Sequence, residues 1–205
     1  EKWKDFLPLA FTRPLSEIRI GILTIKEKWE LFLKTECSYS TQKYLSAKYP
    51  LKEEKENVFI NSGFCPGASL CEAILSLKSG EALMKGDQLI ALKGSLNDLQ
   101  NASSLRKIEF SSETFSINHV WDLFQKNAEA LKNDFELLTK GRKSQTLSST
   151  VTVIGDKNLV FLEEGVKAEA CILNTSSGPV YLGKEAEIME GSVVRGPFAL
   201  CEHSA

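Results

Sequence analysis

The sequence has little histidine and no closely spaced pair of cysteines. Its two histidines, His119 and His203, lie far apart, and none of its five cysteines forms a Cys-x-x-Cys pair. Structural zinc sites are built from such clusters, so the composition argues against one. Scattered cysteines in odd number are most simply explained as free thiols in a reducing compartment.

The sequence also lacks an excess of charge and a long apolar run. Its formal net charge of -2 gives no electrostatic reason to expect a nucleic-acid or anionic-membrane partner. No apolar stretch approaches the length of a signal-peptide core or a membrane span. With 42% hydrophobic and 25% charged residues, the balance is that of a chain that buries a core. We therefore expect a soluble, cytoplasmic protein with one large or two small domains.

What the last quarter of the sequence does contain is a six-residue spacing of branched aliphatic residues. Two runs in different phases are Leu182, Ile188, Val194 and Leu200, and Ile154, Val160, Val166 and Ile172. Neither the helical spacing of three to four nor the strand spacing of two explains this period. A triangular parallel β-helix turns a corner every six residues and sends one aliphatic side chain inward at each. The alternative is an irregular antiparallel sheet with chance spacing.

Residues 180–186 and 188–192 of this repeat resemble the hexapeptide-repeat family of acyltransferases and sugar nucleotidyltransferases. The resemblance implies that residues 146–205 form the start of a left-handed parallel β-helix. The repeat shows no capping sequence before Ala205, and Glu1 is not a methionine. An open solenoid exposes its last coil, so we expect the chain to be a fragment of a longer polypeptide.

The first 145 residues alternate helical and strand patterns, which predicts an α/β domain. Apolar residues at helical spacing from Ile22 predict a helix with Trp29 on its buried face. The other predicted elements are strands at 58–60, 82–84, 89–92 and 105–110, a tight turn at 85–88 and a helix at 70–77. A long helix is predicted with Asn118 as its N-cap. It runs into a polar linker at residues 140–145, so we place a domain boundary near residue 146.

Residues 8–23 and 80–87 resemble a divergent branch of sugar nucleotidyltransferases. An α/β domain joined by a helix to a β-helix also resembles the bifunctional enzymes that activate N-acetylglucosamine 1-phosphate, and glucose-1-phosphate thymidylyltransferases. The resemblance implies an incomplete nucleotidyltransferase-like domain at residues 1–145, with a nucleoside triphosphate (UTP or dTTP) and a sugar 1-phosphate as substrates. The usual glycine-rich phosphate loop is absent, and a segment missing before Glu1 would remove part of the nucleotide site.

The reaction that the resemblance implies needs positive charge more than a base. A sugar-1-phosphate oxygen attacks the α-phosphorus and expels pyrophosphate, and the attacking phosphate is already anionic. Arg13 lies where a phosphate-contacting arginine follows a threonine in the loops of these enzymes, and its planar head suits bridging oxygens. Arg19 and Lys26 are secondary candidates. The alternative is that Arg13 and Arg19 pair with surface acids such as Glu17.

Two further residues are candidates by the same resemblance. Asp87 follows a short strand and a glycine, as does the Mg²⁺-binding aspartate of these enzymes, and Mg²⁺ prefers one or two carboxylates together with phosphate oxygens. Asn61 ends its strand and is a candidate to hydrogen-bond a base or a sugar. Gly-Asp is also an ordinary turn sequence, and asparagine at a strand end is also a structural residue, so both alternatives stay open.

Two other functions remain open from the sequence. In the bifunctional relatives, acetyl-CoA binds between the β-helices of a trimer and a histidine acts as the base. His203 is the one histidine of the repeat region, and we expect it to be solvated on an outer corner. The second possibility is a non-catalytic module that binds a sugar or nucleotide and trimerises through the β-helix. In each case we expect a homotrimer.

Overall fold

The computed structural model describes residues 2–205 and divides the chain into two compact units. The first unit comprises the residues up to 18 together with 24–122, and the second comprises 19–23 and 123–205. Helices and several sheets occur together, which confirms the predicted mixed α/β class. All five cysteines are free, as predicted. Within the described part of the chain, no helix has the length and apolar character needed to cross a lipid bilayer.

The secondary structure consists of short elements. The α-helices are α1 (Ile25–Leu33), α2 (Ala68–Leu75), α3 (Leu96–Gln100), α4 (Asp122–Gln125) and α5 (Asn127–Thr139). Turns of 3-10 helix lie at Lys2–Phe6, Leu15–Glu17, Lys43–Leu45, Ala102–Ser104 and Lys157–Leu159. The strands are β1 (Arg19–Ile20), β2 (Leu23–Thr24), β3 (Asn57–Ile60), β4 (Glu81–Lys85), β5 (Gln88–Gly94), β6 (Arg106–Glu109), β7 (Thr152–Ile154), β8 (Val160–Leu162), β9 (Lys167–Ala168), β10 (Ile172–Asn174), β11 (Val180–Leu182), β12 (Glu187–Ile188), β13 (Val193–Arg195) and β14 (Phe198–Leu200).

The first unit is built on a four-stranded sheet in the order β3-β5-β4-β6. The central strand β5 pairs antiparallel with β3 and β4, and β4 pairs parallel with β6. Lys85 lies opposite Gln88, so Gly86 and Asp87 form the predicted tight turn, with a φ of +56° at Gly86. The strands predicted from the apolar runs are therefore confirmed, and Asp87 lies at the tip of a hairpin.

Helix α1 begins at Ile25, three positions after the start that the apolar spacing predicts. The capping residue Thr24 fixes this start, because its hydroxyl accepts from the N–H of Glu27 while the Glu27 carboxylate accepts from the N–H of Thr24. Ile22 lies in the turn before the helix. The prediction for Trp29 is confirmed, since its side chain is buried.

The single long helix predicted from Asn118 is wrong, because the chain forms the separate helices α4 and α5 there. The carboxylate of Asp122, the first residue of α4, accepts from the backbone N–H groups of Asn118 at 2.6 Å and His119 at 3.0 Å. Asn118 and His119 therefore form a turn ahead of the helix. Phe124 on α4 is 71% exposed, whereas Leu131 on α5 is buried. The apolar spacing that suggested one helix thus does not correspond to one buried face.

In the second unit, the strands β7 to β14 pair in parallel, each with a strand three positions away in chain order. The resulting sheets are β7-β10-β13, β8-β11-β14 and β9-β12. Thr152 lies opposite Ile172, and Ile172 lies opposite Val193, so successive turns of the chain here take 20 and 21 residues (152 to 172 and 172 to 193). Parallel pairing contradicts the antiparallel alternative and is compatible with the start of a β-helix.

The two six-residue runs differ in how well they predict the core of this unit. The later run is confirmed, because all of its members are buried in the core cluster or pack against it, namely Leu182, Ile188, Val194 and Leu200. In the earlier run, Ile154 is 46% exposed. In strands β7 and β10, the residues that belong to the core are Val153 and Leu173 instead of Ile154 and Ile172. Successive strand residues face opposite sides, so a one-residue difference in phase turns a side chain outward.

Helix α5 packs closely against the segment 19–23. A Cβ atom at Gly21, whose φ is +77°, would lie 2.8 Å from the backbone of Ala130, so this approach requires glycine. The buried carboxylate of Asp134 accepts from the N–H groups of Ile22 at 2.8 Å and Leu23 at 3.1 Å. Part of the segment that resembles the nucleotidyltransferases is therefore explained by packing in the second unit.

The predicted polar linker is hydrogen-bonded to strand β8 and to the turn that follows it. The hydroxyl of Ser144 accepts from the N–H of Leu162 at 2.9 Å, and the N–H of Gln145 donates to the carbonyl of Leu162 at 2.8 Å. The side-chain amide of Gln145 also donates to Val166 and accepts from Gly165. Residues 144 and 145 thus lie alongside β8 and are bonded to its last residue, Leu162.

Candidate functional site

Four of the five predicted site residues lie in the first unit, namely Arg13, Lys26, Asn61 and Asp87, whereas Arg19 lies in the second. Among residues 2–205, no hydrogen bond or ion pair joins any two of these four. The candidate site therefore has to be judged from the surroundings of each residue.

Arg13 is presented to solvent on the bend that follows Phe11 and Thr12. Pro14, with a φ of −59°, fixes the chain after it and leads into the 3-10 turn that starts at the buried Leu15. Arg13 makes no hydrogen bond or ion pair with any side chain that the structure describes, so the alternative pairing with Glu17 is not formed. The guanidinium is thus available to a ligand.

Three aromatic rings lie beside this bend, and we call them the aromatic patch: Trp3, Phe11 and Tyr44. The Trp3 ring meets Phe11 edge-on at 6.2 Å and Tyr44 at 6.3 Å. The Tyr44 hydroxyl donates to the carbonyl of Phe11 at 2.8 Å, and the Trp3 indole donates to the carbonyl of Ala10 at 2.8 Å. Tyr44 was not among the predicted site residues, although it is an aromatic residue in a polar, irregular segment of the sequence.

Lys26 is already engaged by acidic and aromatic neighbours. Its ammonium lies 2.6 Å from the Glu30 carboxylate and 5.5 Å from the centre of the Tyr39 ring, whose hydroxyl donates to Glu17 at 2.7 Å. Burial alone would lower the pKa of Lys26, but the hydrogen bond to Glu30 and the charges of Glu30 and Glu17 together raise it. Burial and the bond to Glu17 likewise raise the pKa of Tyr39. A phosphate would have to compete with Glu30 for this cation.

Asp87 is exposed at the tip of the β4–β5 hairpin, and none of the residues 2–205 makes a hydrogen bond or ion pair with its carboxylate. The neighbouring Gly86 N–H donates to Glu109 at 2.8 Å, and Lys85 donates to the carbonyl of Ser112 at 2.5 Å. No group of three or more His, Cys, Asp or Glu side chains that could hold a metal ion exists in the described chain. A single free carboxylate fits Mg²⁺ only when phosphate oxygens complete the ligand set.

The other two predicted residues use their side chains within the fold. The Asn61 amide donates to the carbonyl of Leu89 at 2.8 Å and accepts from the N–H of Gly63 at 2.9 Å, which fixes the turn after β3. Arg19 donates to the carbonyl of Ile22 and so spans the turn at Gly21. Both have structural partners, in contrast to Arg13 and Asp87.

The second unit contains a charged cluster with a different character. Arg142 binds Glu163 with two hydrogen bonds of 2.8 and 2.6 Å, and its guanidinium lies 5.3 Å from the centre of the Phe161 ring. The Tyr181 hydroxyl also donates to Glu163 at 2.7 Å. Burial alone would raise the pKa of Glu163, but the hydrogen bonds from Arg142 and Tyr181 and the charge of Arg142 hold it below its ordinary value. Both carboxylate oxygens of Glu163 and the Tyr181 hydroxyl are hydrogen-bonded within the cluster, so the cluster is a structural brace.

His203 is exposed, as predicted, and its ring nitrogens lie 3.1 Å from Glu185 and 3.4 Å from Glu202.

A family model described as sugar nucleotidyl transferase matches residues 1–143, which is more than half of the chain. No curated protein matches the chain. The matched range contains all five predicted site residues and the whole aromatic patch.

Proposed function

Because the chain belongs to the sugar nucleotidyl transferase family, we propose that it transfers a nucleotide from UTP or dTTP to a sugar 1-phosphate. An oxygen of the sugar phosphate forms a bond to the α-phosphorus, and the bond from that phosphorus to the bridging oxygen of the β-phosphate breaks. The products are a nucleotide-sugar and pyrophosphate. The observation that carries the proposal is that Arg13, within the family match, is exposed and has no hydrogen-bond or ion-pair partner among residues 2–205.

In this proposal Arg13 stabilises the charge on the transferred phosphoryl group. Its guanidinium presents several N–H donors in a fixed plane, and no acid among residues 2–205 pairs with them. Electrostatic stabilisation is the main way in which proteins accelerate phosphoryl transfer, since the nucleophile needs little activation. An exposed arginine can make these contacts only when a substrate covers it and excludes water.

Asp87 is the proposed metal ligand, and with phosphate oxygens of the nucleotide it would hold the Mg²⁺ that neutralises charge in such reactions. Lys26 and Arg19 are proposed secondary phosphate contacts, and Lys26 must first exchange Glu30 for phosphate. Asn61 is proposed to contact the base or sugar with the amide hydrogen that its structural bonds leave over.

We further propose that residues 1–145 form the nucleotidyltransferase-like domain and that residues 146–205 begin a left-handed β-helix through which the protein forms a homotrimer. The three parallel sheets support the β-helix. The five free cysteines support a reducing, cytoplasmic location. The same parallel coils favour one second candidate function, acetyl transfer from acetyl-CoA, and a non-catalytic binding module is the third.

The test is pyrophosphate release in the presence of Mg²⁺, with UTP or dTTP and with glucose 1-phosphate or N-acetylglucosamine 1-phosphate. Release that needs both substrates supports the proposal. For Arg13→Ala we expect a loss of about 10²–10³-fold in kcat, as for removal of one transition-state donor, and for Arg13→Lys a smaller loss. Acetyl-CoA consumption without pyrophosphate would favour acetyl transfer, and a folded protein without either activity would favour the binding module.

A further inference from the structure

The aromatic patch combines exposed rings with a fixed backbone. Phe11 and Tyr44 are 52% and 58% exposed, although aromatic rings stabilise a protein mainly when they are buried. A loose segment does not explain this exposure, because the neighbouring side chains of Phe6, Ala10 and Leu45 are buried. The rings are therefore held at the surface by residues that anchor the chain on either side of them.

The rings are also oriented by direct contacts. Trp3 meets Phe11 at an interplanar angle of 84° and Tyr44 at 67°. The hydrogen bond from Tyr44 to the Phe11 carbonyl ties the two flanking segments together. Groups that are ordered before a ligand binds lose little conformational freedom on binding, which favours affinity.

An exposed cation follows one of these rings closely in the chain. Arg13 is two positions after Phe11, and two residues of extended chain span at most about 7 Å. Its guanidinium has no partner among the residues that the structure describes. Flat apolar rings next to an unpaired cation match a ligand that joins a planar base to phosphate groups. A sugar 1-phosphate offers the charge without the planar base, so it matches only half of this surface.

We propose that the aromatic patch is the stacking platform for the base of the nucleoside triphosphate whose phosphates contact Arg13. This inference rests on the proposed function for the class of ligand, and it adds the residues that recognise the base. Stacking on an aromatic ring tolerates different bases. The patch thus supplies affinity for both UTP and dTTP, and discrimination between them lies elsewhere.

The test is calorimetric binding of UTP, dTTP and inorganic tripolyphosphate to the full chain. Base stacking changes affinity by about 5- to 150-fold when one aromatic residue is removed. We therefore expect Phe11→Leu and Tyr44→Leu each to weaken nucleotide binding by that factor and to leave tripolyphosphate binding unchanged within about twofold. Arg13→Ala should weaken all three ligands. Tyr44→Phe keeps the ring but loses the hydrogen bond to the Phe11 carbonyl, so its nucleotide affinity should lie between those of Tyr44→Leu and the wild type.

Phe124→Leu is the matched control, because this phenylalanine is 71% exposed outside the patch; it should leave all three affinities unchanged. The platform would be wrong if Phe11→Leu weakened nucleotide and tripolyphosphate binding equally, or weakened neither. It would also be wrong if the wild type did not bind nucleotide. Pyrophosphate release from the same preparations tests the proposed function separately. If pyrophosphate is released but Phe11→Leu does not change nucleotide affinity, only the stacking platform is wrong. If Phe11→Leu weakens nucleotide binding alone but no pyrophosphate is released, only the proposed transferase activity is wrong.

Discussion

The two units use a surface arginine in opposite ways. Arg142 in the second unit makes a bidentate pair of hydrogen bonds with Glu163 and lies over the Phe161 ring. It also donates to the carbonyl of Leu138 near the end of α5. Arg13 in the first unit is exposed and has none of these partners among residues 2–205. The comparison teaches that residue type and exposure do not identify a binding arginine. The deciding observation is whether the fold itself already satisfies the guanidinium.

The same contrast extends to the architecture of the units. In the second unit, the register of the strand pairs repeats from one turn of the chain to the next. The charged and polar side chains around Glu163 are hydrogen-bonded to one another. In the first unit, Asp87 lies at a hairpin tip of the sheet and Arg13 lies on a bend, and neither has a hydrogen-bond or ion-pair partner among residues 2–205. We therefore expect substitutions in the second unit to change stability, and substitutions at the open residues of the first unit to change function alone.

The largest effect on stability should come from Leu173→Ala, which removes a fully buried side chain from the core between the parallel sheets of the second unit. A loss of about 3–5 kcal/mol in the free energy of unfolding is typical for such a cavity. Ile154→Ala is the control, because this outward-facing side chain should contribute less than about 1 kcal/mol. Chemical denaturation measures both. Equal losses would contradict the phase of the strands described here.

Gly21→Ala should cost about 2–5 kcal/mol, since it combines a left-handed backbone with a clash against Ala130. Gly191→Ala is matched to it, because Gly191 has the same φ of +77° but nothing within 4 Å of a Cβ atom. Only the backbone term of about 1–2 kcal/mol applies there. Thermal unfolding of both variants separates the two terms, and a similar shift in both would show that α5 does not pack closely at Gly21.

The Glu163 brace should make stability depend on acidic pH. A folded pKa below the ordinary glutamate value of 4.5 stabilises the fold above that value, and this contribution is lost as the pH falls through the lower folded pKa. We expect Glu163→Gln to remove about 1 kcal/mol at neutral pH and to flatten the stability profile below about pH 4.5. Glu164→Gln, at an exposed neighbouring position, should keep the wild-type profile. A profile unchanged in Glu163→Gln would contradict the brace.

The smallest effect on stability should come from Arg13→Ala and Asp87→Asn. Neither side chain has an internal partner among residues 2–205, so the free energy of unfolding should stay within about 0.5 kcal/mol of the wild type. Pyrophosphate release should nevertheless fall in both variants. Denaturation and turnover measured on the same samples check this pair of results. A large loss of stability would mean that these residues are structural, and the contrast with Arg142 would disappear.

Local patterns in the sequence were sufficient to predict the four-stranded sheet of the first unit, but they did not indicate α3. The β4–β5 hairpin follows from two apolar runs around Gly86 and Asp87, and the buried face of α1 follows from its spacing. The start of α1 was missed because the capping pair of Thr24 and Glu27 outweighs the apolar signal of Ile22. These features depend on residues within a few positions of one another.

Features that depend on distant residues were not predictable from the sequence. The outward position of Ile154 is set by pairing with a strand 20 residues away (154 to 174). The contact of Tyr44 with Phe11 joins segments without any periodic signal. Asp134 binds the N–H of Ile22 across 112 positions, so neither residue alone indicates the contact. The candidate residues Arg13 and Asp87 came from resemblance, and their lack of internal partners became visible only in three dimensions.

The bond between Asp134 and the segment 19–23 also has a consequence during translation. This segment leaves the ribosome before its packing partner Asp134 on α5, which is synthesised 112 positions after Ile22. At about 5–20 residues per second, the wait is roughly 6–22 s. Throughout that interval Ile22, which is buried in the finished protein, has no helix to cover it. The nascent chain thus carries an apolar segment that a chaperone can bind before α5 emerges.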